Sequence, residues 1–471
     1  MSSEAYRVGH KSPDRPQAAE PAGNIWAWWL AILLALYYAL SVVDRVIVVH
    51  MVDLIKHDLS ITDFELSLVF GPAFGITYAV FSYPWGWAAD RFQRRWIMFL
   101  AVAGWSLATV GTGFARSFEE LIAWRVLLGV AEAAIAPTAL SMLTDRLPAN
   151  RLATALGIYN TGPKTGATLA YVLAGLAIAW ATSIAAGDAP FFGHRKTWQL
   201  VMFMIGAPGF VLAFLIWTVK EPARRAGQSE ISATVEGTDA TTFLAFLRAN
   251  ARLVIPFVAA FSLAGAAALA LTTWTPAFIV RTYGWSPIQY GPWMGAVSAV
   301  GGFSVVIKGA VVDWIYSRGH RDAAMQFYSW LLFLFLPLGG LSFFAPTPYV
   351  FFVCFLFLSA IAISGFLYAM ASIHLFTPQQ FRGQMLGLLM VVYPLVSSLF
   401  GPTLTAGLTD FVFQDQAKLG WSLAIVTTGC MAVTLILLRY VLRLLARTAK
   451  ADINNDIKPA IEVATSPGRV V

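Results

Sequence analysis

Apolar runs of about 20 residues or more, each long enough for a helix to cross a bilayer core, alternate with short polar breaks along this chain. They cover residues 26–51, 64–88, 96–114, 121–143, 152–181, 198–219, 253–280, 288–314, 323–344, 349–376, 385–411 and 421–445. None alternates apolar and polar residues with the period of two that a membrane barrel requires, and Leu, Ala and Phe dominate them. The pattern predicts an all-α membrane protein with twelve transmembrane helices.

The polar breaks are unequal. The longest internal one, 220–250, holds Glu221-Pro222 and a Ser/Thr/Gly/Glu-rich stretch, and it divides the runs six and six. Two six-helix bundles are therefore expected, 25–219 and 251–446, joined by a cytoplasmic linker at 220–250 and flanked by cytoplasmic tails at 1–24 and 447–471. At the end of the linker Phe243, Phe246 and Leu247 fall on one helical face, the spacing of a short amphipathic helix on the membrane surface; a solvated tether is the other reading.

Composition agrees with the pattern: 58% of the residues are hydrophobic and 12% charged, against roughly 25% charged in a soluble domain. Of the 32 Lys and Arg, 22 lie in the tails, the alternate breaks and the end of the last run from Arg439 onward, which share one side of the membrane; six lie on the other side, and four lie deep inside the runs. Positive residues mark the cytoplasmic side, so both termini are expected there, in the cell's inner (plasma) membrane. The same asymmetry accounts for the net charge of +7 without nucleic acid as a partner. Cys354 and Cys430 both sit in apolar runs, which leaves no disulfide framework and no metal cluster. The polar stretch 1–24 precedes a full-length first run, so no cleavable signal peptide is expected.

Four charges break the apolar pattern where a bilayer makes them costly. Asp44 and Arg45 stand side by side in the first run; Arg125 and Glu132 in the fourth are two helical turns apart on one face. Charges at this depth ordinarily face a water-filled cavity and partner one another, which makes the four the first candidates for a coupling and substrate site. Lys164 and Lys308 add two further cations inside runs. Lys164 follows Gly162-Pro163, and the small residues Gly157, Gly162 and Gly166 let this helix approach another closely, so its amine points into the cavity, snorkels or pairs with an acid. Lys308 lies five residues before Asp313 and is expected to reach toward the cytoplasmic edge. His50 and His374 read as interfacial histidines or as pH sensors.

The two halves echo each other. Gly86-x-x-x-Asp90, followed by Arg91, Arg94 and Arg95, closes the second run; Gly309-x-x-x-Asp313, followed by Arg318 and Arg321, closes the eighth. Gly162-Pro163 in the fifth run has its counterpart in Gly401-Pro402 in the eleventh. Parallel repeats of this kind belong to transporters whose substrate site lies between the halves near the bilayer midplane.

Together these marks resemble the major facilitator superfamily over nearly the whole chain, with Gly86-Trp-Ala-Ala-Asp90-Arg91-Phe-Gln-Arg94-Arg95 as the loop signature. Within it the sequence is similar to Spinster-type lipid transporters in Asp44-Arg45, Val52 to Leu59, Gly113 to Phe118, and Arg125-Val-Leu-Leu-Gly-Val-Ala-Glu132. Trp198-Gln199, Tyr283-Gly-Trp-Ser-Pro287, Arg382-Gly-Gln384, Gly401-Pro-Thr-Leu and Leu408-Thr-Asp410 extend the similarity. Sugar-acid symporters share the Asp-Arg and Arg…Glu pairs, so those four residues do not separate the two groups. The chain departs from both in Trp314, where a basic residue usually follows the aspartate, and in Lys164 and Lys308. The resemblance implies the major facilitator fold, lysophospholipids or sphingoid-type lipids as substrates moved with or against protons, and a gating loop built on Gly86, Asp90, Arg91, Arg94 and Asp313.

The residues allow that chemistry. The proton affinity of Glu132 would be set by the balance of burial and a neighbouring guanidinium. At ~4 Å and an effective dielectric near 20 such a pair is worth about 4 kcal/mol, enough to bias two transporter states. A protonated acid would free Arg45 or Arg125 to hold an anionic group through paired hydrogen bonds, with Lys164 as a further substrate-binding candidate. The alternative is a permanent structural bridge between the first and fourth helices. Asp44 is either a second proton carrier or the neutraliser of Arg45. The walls of the second half, 351–357, 366–370 and 385–392, are Phe, Leu, Met and Ala, which suits an amphiphile better than a sugar acid. Sugar-acid symport and multidrug-type efflux are the rival transport readings. A membrane hydrolase would need a nucleophile with its base or a metal cluster at depth, and a nucleotide-driven pump a GxxxxGK[ST] loop; no such pattern occurs. No enzyme activity and no cofactor are expected beyond the proton gradient, and a monomer suffices.

Overall fold

The computed structural model describes residues 25–186, 195–222 and 240–465, and every element within them is helical. In chain order the long helices are α1 (Ile25–Leu59), α2 (Asp63–Arg91), α3 (Arg94–Thr112), α4 (Phe118–Arg146), α5 (Asn150–Ala185), α6 (Thr197–Thr218), α7 (Ala251–Tyr283), α8 (Pro287–Ser317), α9 (Ala323–Leu334 with Leu336–Phe344), α10 (Pro348–Leu375), α11 (Gln379–Phe413) and α12 (Gln416–Arg447). Each expected span has a helix at its place. Among the described residues ten are long and apolar enough to cross a bilayer, and α9, bent by 50° beside Pro337, makes an eleventh. Helix α3 is the least apolar, carrying Gly104, Ser106, Thr109, Gly111 and Thr112.

The helix starts follow from local chemistry. Thr62 caps α2 reciprocally with Glu65: the Glu65 amide donates to Thr62 Oγ1 at 3.1 Å, and the Thr62 amide donates to Glu65 Oε2 at 2.7 Å. Ser117 caps α4, and Gly284, at φ +67°, ends α7 in the left-handed conformation that glycine adopts without a steric penalty.

The repeat is built into the packing. In the first half Gly162 of α5 lies so close to α1 that an added Cβ would stand 2.6 Å from the Ala35 carbonyl oxygen. In the second half Gly401 of α11 meets the Ala266 carbonyl oxygen of α7 in the same way. Gly166 makes a second such contact, 2.8 Å from Ala39 Cα, whereas Gly157 meets nothing within 4 Å. Two of the three expected small-residue contacts on α5 therefore form. The halves touch along two seams, α2 against α11 through Gly71, Gly75 and Ser398, and α5 against α8 through Tyr171 and Gly291.

The linker region 223–239 and the tails 1–24 and 466–471 lie outside the described residues. A short helix, Ala240–Ala249, forms where the amphipathic spacing predicts one, with Phe243 and Phe246 packed 5.7 and 5.2 Å from the Phe381 ring. The last helix runs unbroken from Leu419 to Thr465, so 447–465 continue α12.

Candidate functional site

Helix α1 carries Asp44 and Arg45 just ahead of a 3-10 stretch, Val48–Met51; α4 carries Glu132 as the last residue before a break at Ala133 and Ala134. At 1.5 Å per residue Arg45 lies ~21 Å from the Leu59 end of α1 and Glu132 ~21 Å from the Phe118 start of α4, so the two meet at one depth. Arg45 Nε stands 3.1 Å from Glu132 Oε2. The pair has charge proximity without hydrogen-bond alignment: neither Glu132 oxygen receives a hydrogen bond among the described residues. Glu132 is 1% exposed whereas the Arg45 side chain keeps 30%, so the guanidinium borders open space and the carboxylate is enclosed. Phe74 lies 5.2 Å beneath the guanidinium.

Arg125, two turns away on α4, is buried; its Nε has no hydrogen-bond partner among the described residues, and its guanidinium is 5.9 Å from the Phe70 ring centre. Asp44 is buried too and accepts a 3.2 Å hydrogen bond from Thr109 Oγ1 of α3. Both acids lie within electrostatic range of both arginines, so the four charges form one cluster with equal numbers of each sign. Arg45 Nε donates to the Ser41 carbonyl at 3.4 Å, and an anion arriving beside the guanidinium would find its other N–H donors not taken up by Glu132.

Three phenols that sequence reasoning passed over surround the cluster. Tyr38 stacks on Tyr159 at 5.1 Å, Tyr78 packs 5.6 Å from Phe74, and the buried Tyr159 hydroxyl has no partner among the described residues. A signal existed for Tyr38, which lies seven residues before Arg45 on the same face of α1.

The lysines divide. Lys164 has no acid partner among the described residues, and its side chain crosses to α8, with Cγ and Cδ 3.7 Å from the space a Cβ on Gly302 would fill. Lys308 does not reach toward a membrane edge as the sequence suggested. Its Nζ donates to the Ala360 carbonyl at 2.8 Å and to Ser364 Oγ at 2.5 Å, where α10 breaks between Ile363 and Gly365. The break frees a backbone carbonyl that the ammonium and the Ser364 hydroxyl, also at 2.8 Å, satisfy together, a nearer partner than distant water.

Of the loop signature, Gly86 packs α2 on Pro137 of α4, Asp90 and Arg91 are exposed, and Arg91 lies over the Trp87 ring at 4.2 Å. Arg94 is the buried hub. It pairs with Asp145 at the end of α4 and with Glu221 at 3.0 Å after α6, and its Nη2 donates to the Pro222 carbonyl at 2.6 Å. These ties hold the first half together at its arginine-rich end. Asp313, the counterpart of Asp90, is exposed.

At the opposite end the halves are bridged by residues counted only as loop charges in the sequence. Arg281, in the last turn of α7, donates to Asp53 Oδ1 of α1 at 3.0 and 2.6 Å and to both oxygens of Asp63 of α2 at 2.6 and 2.9 Å. Asp63 also accepts from Lys56 at 2.8 Å, and Asp410 of α11 accepts from the Phe64 amide at 2.7 Å. His50 Nδ1 is 3.0 Å from the Tyr290 hydroxyl, while Nε2 has no partner among the described residues. No cluster of metal-ligating side chains occurs among the described residues.

Two helical halves closed at one end around buried opposite charges define a multi-pass membrane transporter. A family model for the Major Facilitator Superfamily matches residues 34–322, and the chain belongs to that superfamily, whose members are carriers and not enzymes. It is 25% identical over 329 residues to a probable galactarate/D-glucarate transporter of Bacillus subtilis, covering 64% of this chain and 68% of that one. It is also 25% identical over 356 residues to the Protein spinster homolog 1 of Xenopus tropicalis, covering 71% of this chain and 64% of that protein. A bacterial homolog of the human lysosomal transporter Spinster, solved in an inward-facing and unoccupied conformation, superposes with a TM-score of 0.71 at 22% identity, over 90% of this chain and 98% of that one.

Proposed function

We propose that the protein is a proton-coupled carrier of amphiphilic lipids, of lysophospholipid or sphingoid type, working by alternating access in the cell's inner membrane with both termini cytoplasmic. The observation that carries this reading is the enclosed Glu132 carboxylate, 3.1 Å from Arg45 and without a hydrogen bond among the described residues. One proton on Glu132 would remove the charge that holds Arg45 and free its planar fork for a phosphate or carboxylate, with Arg125 as the second anchor. Asp44, hydrogen-bonded to Thr109, is the second candidate for the coupling proton. The Arg94 hub and the Asp90 loop would brace the cytoplasmic end as the halves rock.

An amphiphile is favoured over a hydroxylated acid by the second half. Its interior stacks Phe351 on Phe355 at 5.3 Å and sets Phe257 5.0 Å from Phe261, apolar rings that would not replace the hydration of several hydroxyls. A groove of about 590 Å³ between α7 and α11 is lined by Val254, Val258, Leu388, Val392 and Phe400, with Arg248 at its arginine-rich end, the shape and chemistry of an acyl chain below an anionic head. Sugar-acid symport is the second reading, and the match to the galactarate/D-glucarate transporter speaks for it.

The test is transfer of a labelled lysophospholipid into proteoliposomes with and without an imposed pH gradient, for the wild-type chain and Glu132→Gln, with galactonate as a competing substrate. Gradient-driven lipid movement that the substitution abolishes is expected. Gradient-driven galactonate uptake with no lipid movement would overturn the lipid reading in favour of sugar-acid symport.

A further inference from the structure

The α5–α8 seam can be followed rung by rung from the end that Arg281 closes. Gly175 lies against Ile288, Tyr171 against Gly291, Thr168 Oγ1 is 3.3 Å from Ser298 Oγ, and Lys164 lies against Gly302. About two turns farther on, Gly157 of α5 and Gly309 of α8 meet nothing within 4 Å. Lys164 is thus the last rung, where the halves part. Gly302 is ~22 Å from the start of α8, the depth at which Arg45 and Glu132 meet.

Two more features single out this place. Helix α5 turns its glycines Gly162 and Gly166 toward α1, while Asn160, Thr161, Lys164, Thr165 and Thr168 fall together on another face, with Asn160, Thr161 and Thr165 exposed. Exposed polar side chains halfway along a membrane helix face water or a ligand in preference to hydrocarbon. Lys308 lies six residues past Gly302, ~9 Å along α8. Its ammonium uses two protons on Ala360 and Ser364 and keeps a third donor. The two ammonium groups lie within electrostatic range of each other, and neither has an acid partner among the described residues. The Arg45 cluster, by contrast, balances its charges internally.

We propose that Lys164 and Lys308 form a second anion-binding subsite, apart from the Arg45–Glu132 pair, that takes the phosphate or carboxylate of the substrate as it passes between the halves at α5 and α8. The assignment rests on the transport reading above and adds the half of the molecule that reading left apolar. Lys164 comes from the first half and Lys308 from the second, so an anion held by both would also draw the halves together.

The test is equilibrium binding to the full chain in nanodiscs, with three probes: 1-oleoyl-lysophosphatidylglycerol, uncharged 1-oleoylglycerol with the same acyl chain, and galactonate. Lys164→Gln and Lys308→Gln are each expected to weaken the anionic probe about tenfold, the size of one lost hydrogen bond to a charged group, and to leave oleoylglycerol unchanged. Lys164→Arg, which keeps the charge, should retain affinity and shows that the site is folded. Unchanged affinity of both anions in both Gln variants overturns the subsite, whatever Glu132→Gln does to transport, and so does failure of the wild type to bind either anion. Tenfold weakening of galactonate with no lysophospholipid binding keeps the subsite and removes the lipid as its source.

Discussion

The two halves solve the same architectural problem with opposite chemistry. In each, a Gly-Pro helix drops its glycine onto a carbonyl of the half's first helix, Gly162 on Ala35 and Gly401 on Ala266. Nine and ten residues beyond that carbonyl the first half places Asp44 and Arg45, while the second places Thr275 and Pro276. The fourth helix of each half also breaks, α4 after Glu132 and α10 at Ser364. In the first half the break presents a carboxylate to an arginine; in the second a lysine from α8 fills it. A shared backbone therefore fixes where chemistry can sit without fixing which chemistry it is, and this chain has concentrated ionisable groups in one half.

The largest expected effect tests that concentration. Arg45→Met strands the enclosed Glu132 carboxylate and should destabilise the protein by about 3–5 kcal/mol, read as a lower thermal midpoint in detergent. Adding Glu132→Gln should recover most of the loss, because the pair behaves as one electrostatic unit. Lys308→Met, the corresponding change in the second half, leaves Ser364 Oγ still donating to the Ala360 carbonyl at 2.8 Å, strands no charge, and should cost less, about 0.5–1.5 kcal/mol. Strictly additive effects of Arg45→Met and Glu132→Gln would show that the two charges do not depend on each other.

Arg281 is where the second half lends charge to the first, and it carries the next effect. Asp63 is fully buried and shares this arginine with Asp53. Arg281→Gln removes the bridging cation, worth about 2–5 kcal/mol for a buried hydrogen-bonded pair. The population should shift toward a state open at that end. Spin labels at the exposed Leu54 and Ile288 should report a longer distance. An unchanged distance distribution would mean that the aromatic and glycine seams alone hold this end closed.

Much of this was legible in the sequence, for reasons that differ by region. Apolar length predicted the helix positions because a bilayer leaves the backbone no other way to satisfy itself. Asp44, Arg45, Arg125 and Glu132 stood out because charge in an apolar run is rare. Arg281, Asp53 and Asp63 did not, since a charge at a helix end looks the same in sequence whether it faces solvent or the other half. Lys308 was misread because its partner is a carbonyl released by the break in α10, and no side-chain pattern announces that break. The phenols Tyr38, Tyr78 and Tyr159 were hidden among 15 tyrosines, most of which serve packing.

The smallest effect asks whether the repeat is structural or only written in the sequence. An added methyl at Gly162 would stand 2.6 Å from the Ala35 carbonyl oxygen, against backbone that cannot yield, and at Gly401 it would meet the Ala266 carbonyl oxygen. Gly162→Ala and Gly401→Ala should therefore each destabilise by about 1–3 kcal/mol through overpacking. Gly157→Ala in the same α5 meets nothing within 4 Å and should be neutral or gain up to about 1 kcal/mol from helix propensity. Because all three changes add the same methyl, their difference in thermal midpoint isolates the contact from the propensity. Equal losses at Gly162 and Gly401 would mean that both halves depend on the same close approach. A loss at Gly162 with none at Gly401 would mean that the second half has kept the Gly-Pro signature while relaxing the contact that explains it.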